Sequence, residues 1–582
     1  MGFRALEFDS LLRAGETDCS HRSASARSPR APRPGRHASG CPARAGVRRS
    51  DAPRVRLSMW GRRVVAAFVV SAAVIVAHPA LVGGTASAHG QDSRGPHHTG
   101  HASLIGSPAG QEIPAGSPAG QHPNIVFVLT DDLSMDLLRY MPAVQALERR
   151  GITFSNYFVS DSLCCPSRAS IFTGNYPHDT DIWTNTSPTG GFALFDGLNE
   201  QLHTFNNVLY HDGYRTAMMG KYLNGYLMNP LVSSAVDRFI PTGWSEWDVA
   251  GWGYPEYNYL LNDDGTVHRY GDRPRDYLTR VIAHKGIDFI KQSAAADRPF
   301  FVELATFSPH TPYTPAPADL HDFPGLKAPE PPSFNRLPTG APHWLANHPK
   351  LKPGQIRTIN QVFRKRAQDV QSVDRMIYGV EDALKAEHIL SNTYIVFSSD
   401  NGLHTGEYRL MPGKLTAFDT DIHVPLVIAG PGIKPGTRTS ALAENVDLAK
   451  TFAAIGGEND MQNDGHTLIP LFAGGTPPAW RNALLVEHRG PVTNPADPDV
   501  QNNITGNPPS YEAMRTRQFL YVGYGTGERE FYNLETDPFE LHNLARKLAP
   551  TQRAQLDHEL GAMINCHTGP ACWAAERVNA FR

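Results

Sequence analysis

The sequence predicts an α/β fold with a largely parallel central sheet flanked by helices, followed by a smaller C-terminal α+β domain. Three observations carry this. IVFVLT after Asn124 and TYIVFSS at 393–399 are unbroken β-branched and apolar runs, which suits central strands covered on both faces. Helix-like and strand-like segments alternate between residues 124 and 399. From about residue 481 the texture changes to short strand-like pieces.

The elements follow in order. After the first strand, the pattern predicts a helix over 141–150, closed by Gly151. A helical pattern at 203–212 ends at Gly213 and precedes YRTAMMGKY. The stretch 277–293 reads as a helix leading into the strand FFVELATF at 300–307. Pro-rich 308–354 reads as a long surface excursion, and 355–388 as a long helix before the strand at 393–399. In the C-terminal part, ALLVEH, QFLYVGY and REFYNL read as strands and 550–563 as a final helix. This divides the chain into 123–480 and 481–582, with a boundary loose by about twenty residues.

Composition bounds the rest. The 582 residues are 41% hydrophobic and 19% charged, which excludes a wholly disordered chain. Residues 1–58 hold 12 Arg and 5 acids, net +7, and 59–88 add two Arg, so the remainder stands at −12. An acidic body gives no electrostatic reason to hold nucleic acid. Residues 1–58, rich in Arg, Pro and Ser, read as a disordered or untranslated leader. From Met59, MWGRR, the apolar VVAAFVVSAAVIVA and Ala86-Ser87-Ala88 read as a signal peptide. The apolar run ends at His78-Pro79, too short for a comfortable span, so the chain reads as secreted, with no stable membrane association. Residues 89–122, with GSPAGQ twice, read as a flexible linker.

Cys566 and Cys572 bracket a short loop, and in an exported protein such a pair is expected to form a disulfide. Cys164 and Cys165 are harder to place. A vicinal disulfide is strained, and two idle thiols outside the cell are exposed to oxidation. Two strands end in oxygen ligands: Asp131-Asp132 and Asp400-Asn401. Each pair alone reads as a turn or helix cap. Together, at equivalent strand ends, they also suit a hard divalent cation.

The segment Cys164-Cys165-Pro166-Ser167-Arg168, followed at the right offset by Thr173-Gly174, resembles the signature of the formylglycine-dependent sulfatases. The resemblance runs over about 122–545 and leans toward the arylsulfatase and N-acetylglucosamine-6-sulfatase branch, where GKYLN, found here at 220–224, occurs. It implies an alkaline-phosphatase-like fold and oxidation of Cys164 to formylglycine by a maturation enzyme. It also implies one Ca²⁺ held by Asp131, Asp132, Asp400, Asn401 and residue 164. Arg168 would orient the hydrated aldehyde, Lys221 and Lys414 would bind sulfate, and His310 in SPHTPY would protonate the leaving oxygen. One hydroxyl of residue 164 would take the sulfo group and the second would expel sulfate, which a serine could not do. Leu223 departs from the pattern, standing where many relatives have His, and Asn224 or His404 is open as an extra participant.

The expected substrate is a sulfate monoester, either an aryl sulfate or a 6-O-sulfated amino sugar. Two rivals stand beside it: a formylglycine-dependent phosphonate or phosphodiester hydrolase, and a silent glycan-binding homologue. An ordinary thiolate nucleophile at Cys164 is a further alternative. The loops 176–200, 226–275 and 308–350 are expected to shape the pocket. Their Trp183, Trp244, Trp247, Trp252 and Tyr257 read equally as sugar-stacking or loop-packing residues.

Overall fold

The structure is a computed structural model that describes residues 122–226, 238–495 and 497–581. The leader, the signal segment and the linker before His122 lie outside the described residues. In chain order the first strands are β1 (Asn124–Thr130), β2 (Ile152–Phe154), β3 (Tyr157–Phe158), β4 (Arg215–Gly220), β5 (Glu246–Gly251), β6 (Leu260–Asp263), β7 (Thr266–Arg269) and β8 (Phe300–Ala305). They continue with β9 (Thr393–Ser399), β10 (Leu426–Ala429), β11 (Thr437–Thr439), β12 (Ala443–Glu444), β13 (Ala483–His488), β14 (Tyr511–Thr516), β15 (Phe519–Tyr524) and β16 (Arg529–Asn533). The longer helices are α1 (Pro142–Arg150), α2 (Cys164–Thr173), α3 (Leu278–Ala295), α4 (Pro353–Ala386), α5 (Asp447–Ile455) and α6 (Pro550–Met563).

The main sheet runs β11-β2-β10-β9-β1-β8-β4-β5-β6-β7, and its centre, β9-β1-β8-β4-β5, is parallel. Every residue of β1 is buried. Because side chains alternate across a strand, Ile125, Phe127 and Leu129 enter one core while Val126 and Val128 enter the other. Helices α1, α3 and α4 cover the second face. In α4, Ile359, Phe363, Val370, Val373, Ile377, Val380 and Leu384 recur at helical spacing and supply that cover. Helices α2 and α5 pack on the first face, where Phe452 meets Phe127, Phe205 and Phe301.

The C-terminal strands form an antiparallel sheet, β13-β14-β15-β16. Leu484 and Val486 of β13 join the large core, while Ala483 and Leu485 face α6 and the Cys566–Cys572 disulfide. The expected α/β class and C-terminal sheet are both present.

Several expectations need correction. The segment 226–275 is not merely loop: it carries β5, β6 and β7, which extend the main sheet. Its acids obscured the strand pattern, yet Asp248 is buried and held by Lys285 Nζ at 2.7 Å. Strand β14, YEAMRT, also went unread because charged Glu512 and Arg515 break its apolar run. The Pro-rich excursion is anchored by bridges from Phe334 to Glu407 and Thr339 to His542.

His178 shows how the C-terminal part is fastened to the larger one. Its Nδ1 meets Glu487 Oε2 at 2.8 Å and its Nε2 meets the Cys566 carbonyl at 2.7 Å. Both partners are acceptors, so both ring nitrogens must donate and the ring is held as imidazolium. Burial alone would lower its pKa, but Glu487, the Cys566 carbonyl and Asp179 push it up to about 9. A raised pKa means the stabilisation is complete below the unfolded value of about 6.5 and is lost as pH rises through the folded value. His178→Gln is therefore expected to lower the thermal midpoint at neutral pH, with the gap to the parent closing by about pH 10. A gap that does not change with pH would contradict the charged pairing.

Candidate active site

In a parallel α/β sheet, ligands collect beyond the carboxyl ends of the strands. Thr130 is paired with Ser399, and both Leu129 and Gly220 with Ala305. The residues that follow β1, β9, β4 and β8 therefore emerge side by side: Asp131-Asp132, Asp400-Asn401, Lys221 and the Ser308–His310 turn. Asp132 turns the chain with φ of 63°, a left-handed conformation that Asp tolerates better than most residues. Helix α2 begins at Cys164, its N-terminus entering the same space. The whole helix is buried, so it shows no amphipathic pattern, and Gly174 closes it at φ of 76°. Ser167 Oγ donates to the Asp400 carbonyl, and Asn445 Nδ2 donates to Ser167, which fixes the helix start.

The candidate catalytic and metal-binding residues meet here, and His404 does not. Cys164 Sγ lies 3.2 Å from Asp131 Oδ1 and 2.9 Å from Lys414 Nζ. Lys221 Nζ is 2.6 Å from Asp131 Oδ2, and Lys414 Nζ is 2.6 Å from Asp132 Oδ1. Arg168 donates through Nε to Asp400 Oδ2 at 2.8 Å and through Nη1 to the Lys221 carbonyl at 2.9 Å. His310 Nε2 stands 3.6 Å from Asp132 Oδ2. His404 instead has both ring nitrogens engaged, by Asp421 and the Thr505 carbonyl, and its backbone pairs with Gly413, next to Lys414. It shapes the lysine's loop.

The charges explain the protonation states. Burial, together with Asp131 and Asp499, holds the Cys164 thiol well above its ordinary pKa, with Lys221 and Lys414 only partly opposing. Burial would raise Asp400, but Arg168, Lys221 and Lys414 bring it down to about 2. Burial dominates at Asp131 and pushes it up to about 6. Lys221 and Lys414 would be lowered by burial, yet their carboxylate partners hold both well above the usual lysine range.

A divalent cation fits this set. Donor atoms of Asp131, Asp132, Cys164 and His310 lie within 4.8 Å of one another, and Asn401 Oδ1 is buried with no hydrogen-bond partner. An orphaned amide oxygen beside clustered carboxylates has the donor chemistry of a hard-cation site.

Beside this cluster lies a narrow cleft, lined by Asn185, Lys221, Asn224, Trp252, Tyr254 and Pro498 among others. Tyr254 packs on His310 with ring centroids 4.5 Å apart, and its hydroxyl accepts from Asn224 Nδ2. Leu223, standing where a His was expected, is an apolar wall of the same cleft. Of the five aromatics expected around the pocket, only Trp252 lines the cleft, at 40% exposure. Trp244 and Trp247 are core residues, Trp183 stacks on Arg489, and Tyr257 packs on Tyr277.

Sequence reasoning missed Asp499 and Asn185. Asp499 Oδ1 lies 2.5 Å from His310 Nε2 and 3.1 Å from Lys414 Nζ. Asn185 Nδ2 donates to Asp499 Oδ2 at 2.8 Å, while its Oδ1 accepts from the Cys165 amide. Neither carries a local signal: Asp499 sits in a Pro/Asp-rich stretch that reads as ordinary loop. With the Asp499, Asp132 and Asp131 carboxylates opposing the effect of burial, His310 is pushed up to about 9.

Comparison with known proteins agrees with this geometry. A family model described as Sulfatase matches residues 123–458, and one described as N-sulphoglucosamine sulphohydrolase, C-terminal, matches 406–565. N-acetylglucosamine-6-sulfatase of Homo sapiens is 34% identical over 490 residues, covering 78% of this chain and 87% of that protein. An arylsulfatase of Volvox carteri is 29% identical over 504 residues, covering 78% and 76%. Among solved structures, BT4656 in complex with its substrate D-glucosamine-2-N,6-O-disulfate superposes with a TM-score of 0.62 at 24% identity, covering 76% of this chain and 97% of that one. A phosphonate monoester hydrolase from Silicibacter pomeroyi gives 0.57 at 20%, covering 76% and 94%. These structural likenesses show the shared alkaline-phosphatase-like fold. The family model spans more than half of the chain and takes in both acidic strand ends, the start of α2 and the two lysines. On that ground the protein belongs to the sulfatase family.

Proposed function

We propose that this protein is a secreted sulfatase that hydrolyses 6-O-sulfated amino sugars, and aryl sulfates as simpler esters, through a formylglycine made from Cys164. The observation that carries the reading is the convergence of Lys221, Lys414, Arg168 and His310 on Cys164, in a buried space beside an open cleft. The substrate class rests on the 34% identical human N-acetylglucosamine-6-sulfatase and on the 6-O-sulfated ligand named for BT4656. Secretion is supported by the leader at 59–88, the disulfide and the extracellular sulfatase homologue of Drosophila melanogaster, 32% identical over 387 residues. Among the described residues no helix is long and apolar enough to cross a membrane.

In this reading, Lys221 and Lys414 grip sulfate oxygens, and their rigid ion pairs keep them oriented before substrate arrives. His310 delivers the Nε2 proton to the departing sugar oxygen, while its Nδ1 is held by the Thr311 carbonyl at 2.7 Å. Arg168, locked by Asp400 and the Lys221 carbonyl, orients residue 164. Asp131, Asp132, Asp400, Asn401 and residue 164 would hold Ca²⁺, which supplies charge neutralisation, while the oxidised residue 164 supplies the two hydroxyls that take up and release the sulfo group. The parts 123–480 and 481–582 are proposed as one catalytic body, since Asp499 of the second reaches His310 of the first.

Four outcomes are expected. Cys164→Ala should abolish release of sulfate from N-acetylglucosamine 6-sulfate, and Lys414→Ala should lower kcat by about 10²–10³. His310→Ala should lower kcat by about 10²–10⁴ on a sugar ester but far less on an aryl sulfate whose leaving group needs no proton. Chelation should remove activity and lower the thermal midpoint, with Ca²⁺ restoring both in the parent and restoring them weakly in Asn401→Ala. Faster turnover of an aryl phosphonate than of any sulfate ester would instead favour the phosphonate hydrolase reading.

A further inference from the structure

The described part of the segment between β13 and β14 carries no regular secondary structure and sends Asp499 into the centre of the site. Its carboxylate has four polar contacts. Oδ1 meets His310 Nε2 at 2.5 Å and Lys414 Nζ at 3.1 Å, and Oδ2 meets Asn185 Nδ2 at 2.8 Å and Cys164 Sγ at 3.4 Å. The side chain is 3% exposed. A tight local turn supports it: the Asp499 amide donates to Asp497 Oδ1 at 2.9 Å, and Asn185 Nδ2 also donates to Asp497 Oδ1 at 3.0 Å.

These donors are the ones a sulfate ester needs. An oxygen that bonds His310 and Lys414 while its partner oxygen lies beside Cys164 occupies the volume in which the ester's sulfur and bridging oxygen must sit. Two anions in that volume would overlap, and in a buried site their repulsion is strong. We propose that Asp499 is an internal competitor for the sulfate seat, and that substrate must displace its carboxylate to bind. This inference rests on the sulfatase reading and adds a specificity-determining residue to it.

Discrimination follows. A free sulfate ion has only its charge with which to displace Asp499. A sugar ester also contacts the cleft lined by Trp252, Tyr254 and Asn224, and that binding contributes to the displacement. The displacement costs both ligands alike, so with Asp499 in place free sulfate, the product, is held weakly while the sugar ester stays bound through its cleft contacts.

The test is direct binding of inorganic sulfate to the full chain by isothermal titration in saturating Ca²⁺, with each variant's thermal midpoint checked. Asp499→Asn and Asp499→Ala are expected to bind sulfate about tenfold more tightly than the parent. Inhibition of sugar-ester turnover by sulfate should strengthen in step. Asp497→Asn loosens the turn without touching the seat, and is expected to shift affinity the same way by a smaller factor. It carries the test if the Asp499 variants do not fold. Unchanged or weaker sulfate binding in the folded variants would overturn the proposal, because Asp499 would then be a neutral neighbour or a recruiting group. The titration does not depend on turnover. A parent that binds sulfate but cleaves no sulfate ester would defeat the sulfatase reading while still reporting on Asp499.

Discussion

Asp131, Asp132 and Asp400 place three carboxylates in a space closed to solvent, and the surrounding structure follows from the need to compensate them. A buried carboxylate without a partner is too costly to persist. Lys221 answers Asp131, Lys414 answers Asp132 and Arg168 answers Asp400, each between 2.6 and 2.8 Å. The compensation comes from three separate stretches of chain, so the cluster cannot form until the parallel strands have aligned their carboxyl ends. The same cations then serve as the clamp on an anionic substrate. Stability and chemistry are drawn from one set of charges.

Much of this was legible in the sequence, for identifiable reasons. Strands β1, β8 and β9 are covered on both faces, so their residues are mostly apolar and their ends stood out as Asp131-Asp132, SPH at 308–310 and Asp400-Asn401. Helix α4 is long and one-sided, and its spacing declared it. The residues of the signature in α2 could be read only through resemblance, since a wholly buried helix has no polar face to reveal its period. What was lost lay where charge is used inside the fold. Strands β5 and β14 hide Asp248, Glu512 and Arg515 in ion pairs, and residues paired in three dimensions look like loop in one.

Asp499 and Asn185 mark the deeper limit. They meet only because β13 and β14 of the C-terminal sheet are joined by a segment that reaches the carboxyl ends of the main sheet's strands. No offset within either stretch records that meeting. The C-terminal sheet is thus more than a cover: one of its faces completes the large core, and its longest connection completes the site.

The central claim is that residue 164 is an oxidised cysteine. The measurement is mass spectrometry of the tryptic peptide ending at Arg168, taken from active protein made by its natural host. The account predicts that Cys164 has lost its sulfur and carries an aldehyde, trapped by a hydrazine reagent, while Cys165 remains a thiol. An intact thiol at position 164 in fully active material would contradict it.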